Sequence, residues 1–379
     1  MLFLGVILLI VICIVYFKIK YPFWSKQPVF HYHNIWYWIF PPGIISHAIP
    51  KKNKYYDSSI KFTSLEKANS ISLQDFITLI QNHYLRTKKY NYIPSKDSIL
   101  ANFKGIEKKS IIGIYYEPKY IQNIVHNKPV SVITGRPLRC YLEGNAFTLH
   151  YVDFLCIHKK HRKQQLAPKI IYSYYVTQRN RSNHPIFLFK RESSSTLIVP
   201  LTTYSMYFFP IKLCNVPSIQ NVVPLQTTEL STLYDESIKS HFSCFCITPY
   251  ENLFIQVEEK SILIYTLVHE NVIKGYYFFR NTNTYSRVND EEETKCYECL
   301  ASICLTNEIK FYYGFLNAIQ CIKKDYDATE IQIENISNNN LILKYLIPQN
   351  KPTHRSPCSY YFYNFAYLPL KSNKVCCIF

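Results

Sequence analysis

Residues 151–168 read Tyr151-Val-Asp-Phe-Leu-Cys-Ile-His-Lys-Lys-His-Arg-Lys-Gln-Gln-Leu-Ala-Pro168. Apart from Asp153, the stretch up to Ile157 is apolar or aromatic, which predicts the end of a strand over 147–157. Lys159, Lys160, Arg162 and Lys163 then crowd one loop. Pro168 suits the first position of a helix running to about residue 178, because its missing N–H costs nothing there. Strand, basic loop and helix in that order turn the open N–H groups of the first helical turn, and the positive end of the helix dipole, toward whatever lies off the strand. That is an anion site of the kind a pyrophosphate needs; a solvated basic turn is the plainer alternative.

Working outward, 111–116 and 130–134 read as further short strands, and 186–189 as the strand after the helix. Upstream, Ser72 looks like an N-cap, with Leu73, Phe76, Ile77, Ile80 and Tyr84 on one helical face. Pro94-Ser95 opens a second short helix. Residues 215–226 read as a connector, after which the order recurs: helix 229–239, strands 261–268 and 272–279, helix 308–323, strand 330–334, a helix after Asn338 and a strand at 360–367. The chain is therefore expected to be α+β or mixed α/β. It divides into an N-terminal segment 1–20, a first half 21–215 and a similar second half 216–379.

Composition limits the chemistry. The chain has 8 Gly in 379 residues, where ordinary usage gives roughly 27, and no two lie closer than eight residues apart. Glycine-clustered dinucleotide and phosphate loops are excluded. The net charge of +17 points to an anionic partner, and residues 158–191 hold nine Lys or Arg and no acid. No zinc-finger, RNA-recognition or helix-turn-helix pattern accompanies the charge, so nucleic acid is not expected. Residues 2–19 are almost wholly apolar, with Lys18, Lys20 and Lys26 at the C-terminal side. This reads as a retained single-span membrane anchor, N-terminus out and body in the cytosol, rather than a cleaved signal or a core helix. Cys296-x-x-Cys299 with Cys304, Cys244 and Cys246 is too weak a pattern for zinc, and no metal is expected. The wealth of Lys, Asn, Ile and Tyr points to an AT-rich, viral source.

The segment Asp153-Phe-Leu-Cys-Ile-His-Lys-Lys-His-Arg162, with Leu166-Ala-Pro168, resembles the N-F-L-C-[VI]-H-K-K-x-R-S-K-R-x-A-P signature of the glycylpeptide N-myristoyltransferases. Phe23-Trp24-Ser-Lys-Gln-Pro-Val29 resembles that family's F-W-x-T-Q-P-V, and Tyr360-Tyr-Phe-Tyr-Asn-Phe365 its Y-Y-L-Y-N-W. The resemblance implies two tandem acetyltransferase-like (GNAT-like) halves that move a myristoyl group from myristoyl-CoA, a co-substrate, to the N-terminal glycine of a peptide or protein. It further implies that the N–H groups of Phe154 and Leu155 stabilise the oxyanion and that the terminal carboxylate of Phe379 is the base. His158, Lys159, Lys160, Arg162, Lys163, Leu166, Ala167 and Pro168 would hold the coenzyme A phosphates. Phe23 and Trp24 would line the acyl-CoA entrance, although aromatics beside a membrane span also serve as interface anchors.

Substrate-side positions depart from the family pattern. Asp153 replaces its Asn, Arg86-Thr-Lys-Lys89 its acidic loop, and Glu192 its substrate-contacting Thr, while Tyr90, Tyr92 and Tyr207 keep aromatic positions. Asp153 and Glu192 are candidates to hold the glycine ammonium. The reading is a transferase of altered peptide preference, with a homologue that binds acyl-CoA but transfers poorly, or a membrane scaffold, as the alternative. Cys376-Cys-Ile-Phe379 also fits a prenylation box, whose processing would remove the base.

Overall fold

Runs of β-branched and aromatic residues dominate the chain between its helices, and they pair into one long sheet. The computed structural model describes residues 2–85, 90–121, 124–182, 185–192, 197–211, 221–287 and 293–379. From the N-terminus the elements are α1 (Leu2–Lys20), α2 (Ile35–Ile39), β1 (Gly43–Ile44), β2 (Lys61–Ser64), α3 (Ser70–His83), β3 (Tyr90–Tyr92), α4 (Lys96–Ala101), β4 (Ile111–Ile121), β5 (Ile124–Leu142) and β6 (Asn145–Ile157). Next come α5 (Leu166–Arg181), β7 (Phe187–Arg191), β8 (Thr202–Pro210), β9 (Asn221–Pro224), α6 (Glu236–Lys239), β10 (Cys244–Ile247), α7 (Tyr250–Glu258), β11 (Ile262–His269), β12 (Val272–Arg287) and β13 (Glu293–Cys304). The chain closes with α8 (Glu308–Tyr326), β14 (Glu330–Glu334), α9 (Asn339–Gln349), β15 (His354–Tyr363), β16 (Phe365–Ala366) and β17 (Val375–Ile378).

The expected recurrence is present. β4, β5 and β6 are antiparallel, α5 follows, and β7 returns parallel to β6. Likewise β11, β12 and β13 are antiparallel, α8 follows, and β14 returns parallel to β13. Close helix-to-sheet approach is enforced in both units. A Cβ on Gly135 of β5 would lie 1.7 Å from the hydroxyl of Tyr174 on α5, and one on Gly314 of α8 would lie 2.4 Å from the hydroxyl of Tyr277 on β12.

The halves interlock. The main path runs β17-β10-β5-β6-β7-β15-β8-β14-β13-β12-β11-β9. β15 is thus inserted between β7 and β8, antiparallel to both, and β10 and β17 extend the sheet beside β5. Leu138, Cys140 and Leu142 of β5 face one core with Leu149 and Tyr151 of β6 and with Phe379, as a two-residue period requires.

Local details differ from the sequence reading. The cap of α3 is Asn69, whose side chain accepts the Ser72 N–H, so the helix begins before Ser72. Pro168 sits in the first turn of α5 but two residues after its start at Leu166. Residues 227–234 form a 3₁₀ turn, leaving only the short α6 of the helix expected at 229–239. The loop 86–89 lies outside the described residues, as do 215–220 of the expected connector. Residues 2–20 do form a helix, α1, but the side chains of 2–4, 6–10 and 13 are outside the described set. Among the described residues no helix is long and apolar enough to cross a membrane.

Candidate active site

β6 and β7 pair only at His150 with Phe187 and Tyr151 with Leu188, whereas β13 and β14 pair over four positions. Beyond Tyr151 the first pair of strands therefore parts, and β6 is irregular at that point. Its register against β5 jumps between Val132, opposite Cys156, and Thr134, opposite Asp153. Phe154 takes the left-handed region at φ 47°, a strained conformation for a bulky residue. Its ring is buried against Phe76, Tyr84 and Phe103, while Leu155 is 37% exposed. The bulge takes two backbone N–H groups out of regular pairing where the gap opens. One of them is engaged: Phe154 N–H donates to Asp153 Oδ1 at 2.8 Å. Thr134 Oγ1 donates to the Asp153 carbonyl at 3.0 Å and fixes the turn.

The loop after β6 is built on backbone contacts. His158 is buried, and its Nδ1 accepts the Lys160 N–H. Arg162 donates from Nε to the Ile157 carbonyl at 3.2 Å and from Nη2 to the His83 carbonyl at 2.8 Å, so this guanidinium braces the loop against the end of α3. His83 lies 4.1 Å, ring to ring, from His158. Burial, and then the positive charges of His158, Lys159 and Arg162, push it down to about 4, so it is neutral at pH 7. Lys159, Lys160 and Lys163 are exposed. Lys163 and Gln165 are left-handed, and no side chain caps the first turn of α5, where Leu166, Ala167 and Pro168 sit. The loop therefore presents cations and helix N–H groups together, as an anion requires.

Beside the bulge lies a cavity of about 770 Å³, bounded by Tyr84, Tyr92, Asp153, Phe154, Glu192 and Phe208. Burial, with the Asp153 charge next, raises the Tyr84 and Tyr92 hydroxyls, so both are neutral donors. The cavity is also lined by Lys190, Arg280 and Glu298. Arg280 Nη2 donates to Glu298 Oε2 at 2.6 Å, and Lys190 Nζ lies 3.5 Å from Glu298 and 2.7 Å from Glu334. Burial opposes charge on both carboxyls. Arg280 and Lys190 nevertheless hold Glu298 below the usual range, whereas burial and the neighbouring Glu298 push Glu334 up. Arg280 Nη1 also donates to the Phe379 main-chain oxygen at 3.2 Å. Arg136 is fully buried, 5.6 Å from the Tyr151 ring and 5.8 Å from that of Phe379, and among the described residues none of its nitrogens has a hydrogen-bond partner.

The structure gathers Asp153, Phe154, Tyr92 and Glu192 around one cavity. Tyr207 is a correction: on β8 the alternate residues Met206 and Phe208 line the cavity, and Tyr207 packs on the other face against Arg355, as strand periodicity dictates. The side chain of Tyr90 lies outside the described residues. Phe23 is buried edge-on to Trp24 and Tyr55, and Trp24 stacks on Phe189 of β7. Cys376 is fully buried in β17, which does not offer its thiol to a prenyl group. The Cys296, Cys299 and Cys304 thiols have separate partners in Gln332, Asn339 and Thr306. Cys140, Cys244 and Cys246 instead bring three sulfurs together deep in the core. Sequence reasoning missed Lys190, Arg280, Glu298, Glu334 and Arg136. The available signal was a charge at an inward-facing position of an otherwise apolar strand.

The fold is mixed α/β with two GNAT-like units. A GCN5-related N-acetyltransferase from Anabaena variabilis superposes with a TM-score of 0.50 at 10% identity, covering 79% of this chain and 72% of that one. Over 93% of this chain and 90% of the other, the structure matches Saccharomyces cerevisiae N-myristoyltransferase with bound myristoyl-CoA, at a TM-score of 0.73 and 15% identity. Residues 43–187 match the family model of the Myristoyl-CoA:protein N-myristoyltransferase N-terminal domain. Two curated relatives are glycylpeptide N-tetradecanoyltransferase 1 of Arabidopsis thaliana, 26% identical over 160 residues, and the Dictyostelium discoideum enzyme, 25% identical over 166. Each alignment covers 39% of this chain, and it spans 35% and 36% of the two relatives respectively. Sequence similarity to the N-myristoyltransferase N-terminal domain thus covers residues 43–187, and over most of its length the chain shares the fold of a solved N-myristoyltransferase.

Proposed function

We propose that the protein transfers a myristoyl group from myristoyl-CoA to the N-terminal glycine of peptides or proteins. The observation that carries this reading is the Phe154 bulge, which precedes the cation-bearing loop on β6 and borders a cavity also lined by Arg280, whose Nη1 donates to the main-chain oxygen of Phe379. Lys159, Lys160, Lys163 and the α5 first turn receive the coenzyme A phosphates. The glycine ammonium enters past Tyr92 and Glu192, and the carboxylate of Phe379 as chain end takes its proton. The freed amine attacks the thioester carbonyl, the bulge N–H groups stabilise the oxyanion, and the coenzyme A thiolate leaves. Residues 2–19 anchor the body to a membrane from its cytosolic side, which protease protection of vesicle-inserted chain tests.

One observation favours a second reading, a homologue that binds acyl-CoA but transfers poorly. Asp153 Oδ1 occupies the Phe154 N–H, and a carboxylate there repels the charge developing on the oxyanion. Incubating the full chain in detergent with labelled myristoyl-CoA and a library of N-terminal-glycine peptides separates the two readings. Label in peptide supports transfer, whereas label that stays with the protein supports the weak homologue. Absence of saturable binding overturns both.

A further inference from the structure

Resting on the transferase reading above, we propose that Arg280 is a positioning residue that aims the Phe379 carboxylate at the substrate amine. Chain ends are ordinarily the least constrained part of a protein. Here β17 pairs with β10, and the Ile378 carbonyl accepts the Thr248 N–H. The Phe379 ring packs between Tyr151, at 4.5 Å, and Tyr360, at 6.0 Å. Those contacts fix the ring but leave the carboxyl free to rotate about its last bond. Arg280 supplies the missing constraint by donating from Nη1 to Phe379 at 3.2 Å.

A guanidinium is a planar fork, so holding one prong orients the other. The second prong is held by Glu298 at 2.6 Å, and Glu298 is steadied by Lys190, which bridges to Glu334. Charges alternate along this line from Arg280 to Glu334, drawn from β12, β13, β7 and β14. Around the chain end stand cations Arg280 and Arg136, with Lys190 behind them; the carboxyls of Asp153, Glu298 and Glu334; and the neutral hydroxyls of Tyr151 and Tyr360. Arg136 adds positive potential from the β5 side. In the reaction the proton leaves the glycine nitrogen for a Phe379 oxygen. The N–H electron pair remains on nitrogen as the attacking lone pair.

The test is the pH profile of transfer by the full chain. Arg280→Gln is expected to lower kcat at least about tenfold, since small misplacements at the reacting centre are costly. It should also move the acid limb to higher pH, because the carboxylate loses a cation. Glu298→Gln removes an anion and should move that limb to lower pH, while Arg280→Lys keeps the wild-type limb with a reduced kcat. An unmoved limb in Arg280→Gln, or shifts of the same sign in both Gln variants, overturns the proposal. If Arg280→Gln does not melt cooperatively, Glu298→Gln decides alone: a downward limb supports the role, and an unmoved or upward one refutes it. A wild-type chain that transfers nothing refutes the functional reading itself and is seen before any variant is made.

Discussion

Lys190 and Lys159 serve the same proposed reaction from opposite sides of the bulge, and their surroundings could hardly differ more. Lys190 is largely withdrawn from water between two buried carboxylates. Lys159 stands in solvent on a loop whose shape is set by hydrogen bonds between the His158 and Arg162 side chains and the backbone. Charge alone therefore says little about what a residue contributes. Burial makes the cavity floor a rigid framework that fails if one member is lost, while the loop offers adjustable, screened attraction.

The contrast is broken most severely at Lys190. Lys190→Met leaves Glu298 and Glu334 facing each other in the core, and urea denaturation should register a loss of about 3–5 kcal/mol. A loss below about 1 kcal/mol, the level of an exposed pair, would dissolve the distinction. Next in size is a single glycine added after Phe379. It leaves the ring in place but moves the carboxylate away from Arg280, so kcat should fall about a hundredfold while acyl-CoA binding is unchanged.

A smaller effect, and of opposite sign, is expected at the boundary between the regions. Asp153→Asn keeps an acceptor for the Phe154 N–H but removes the charge, so single-turnover transfer should speed up, by at most about tenfold. Slower transfer would mean that the carboxylate holds the substrate ammonium. Smallest is the paired change Lys159→Gln with Lys160→Gln. Titration with myristoyl-CoA should weaken only about two- to fivefold at low salt, with the difference shrinking as salt rises.

Legibility in the sequence follows the same division. The loop is contiguous: strand end, cations and helix start lie within residues 151–168, so their order alone announces an anion site. The recurring unit of strands, helix and return strand was legible because each element carries its own apolar period. Residues 190, 280, 298, 334 and 379 share no local pattern. They meet only because β15 and the parallel returns bring β7, β14, β13 and β12 into one sheet. A residue's face was equally opaque, and Tyr207 was misplaced because the strand register that turns Met206 and Phe208 toward the cavity comes from pairing with β14 and β15.

The slot filled by β15 also sets a timetable for synthesis. A growing chain can fold β4 through α5 as it leaves the ribosome, but β7 and β8 have bare inner edges until residues 354–363 emerge. Open edges of that kind invite pairing with other chains. The strand that seals them and the residue proposed as base both lie in 354–379, so a chain that stalls early is left without a closed sheet and without a proton acceptor at the same moment.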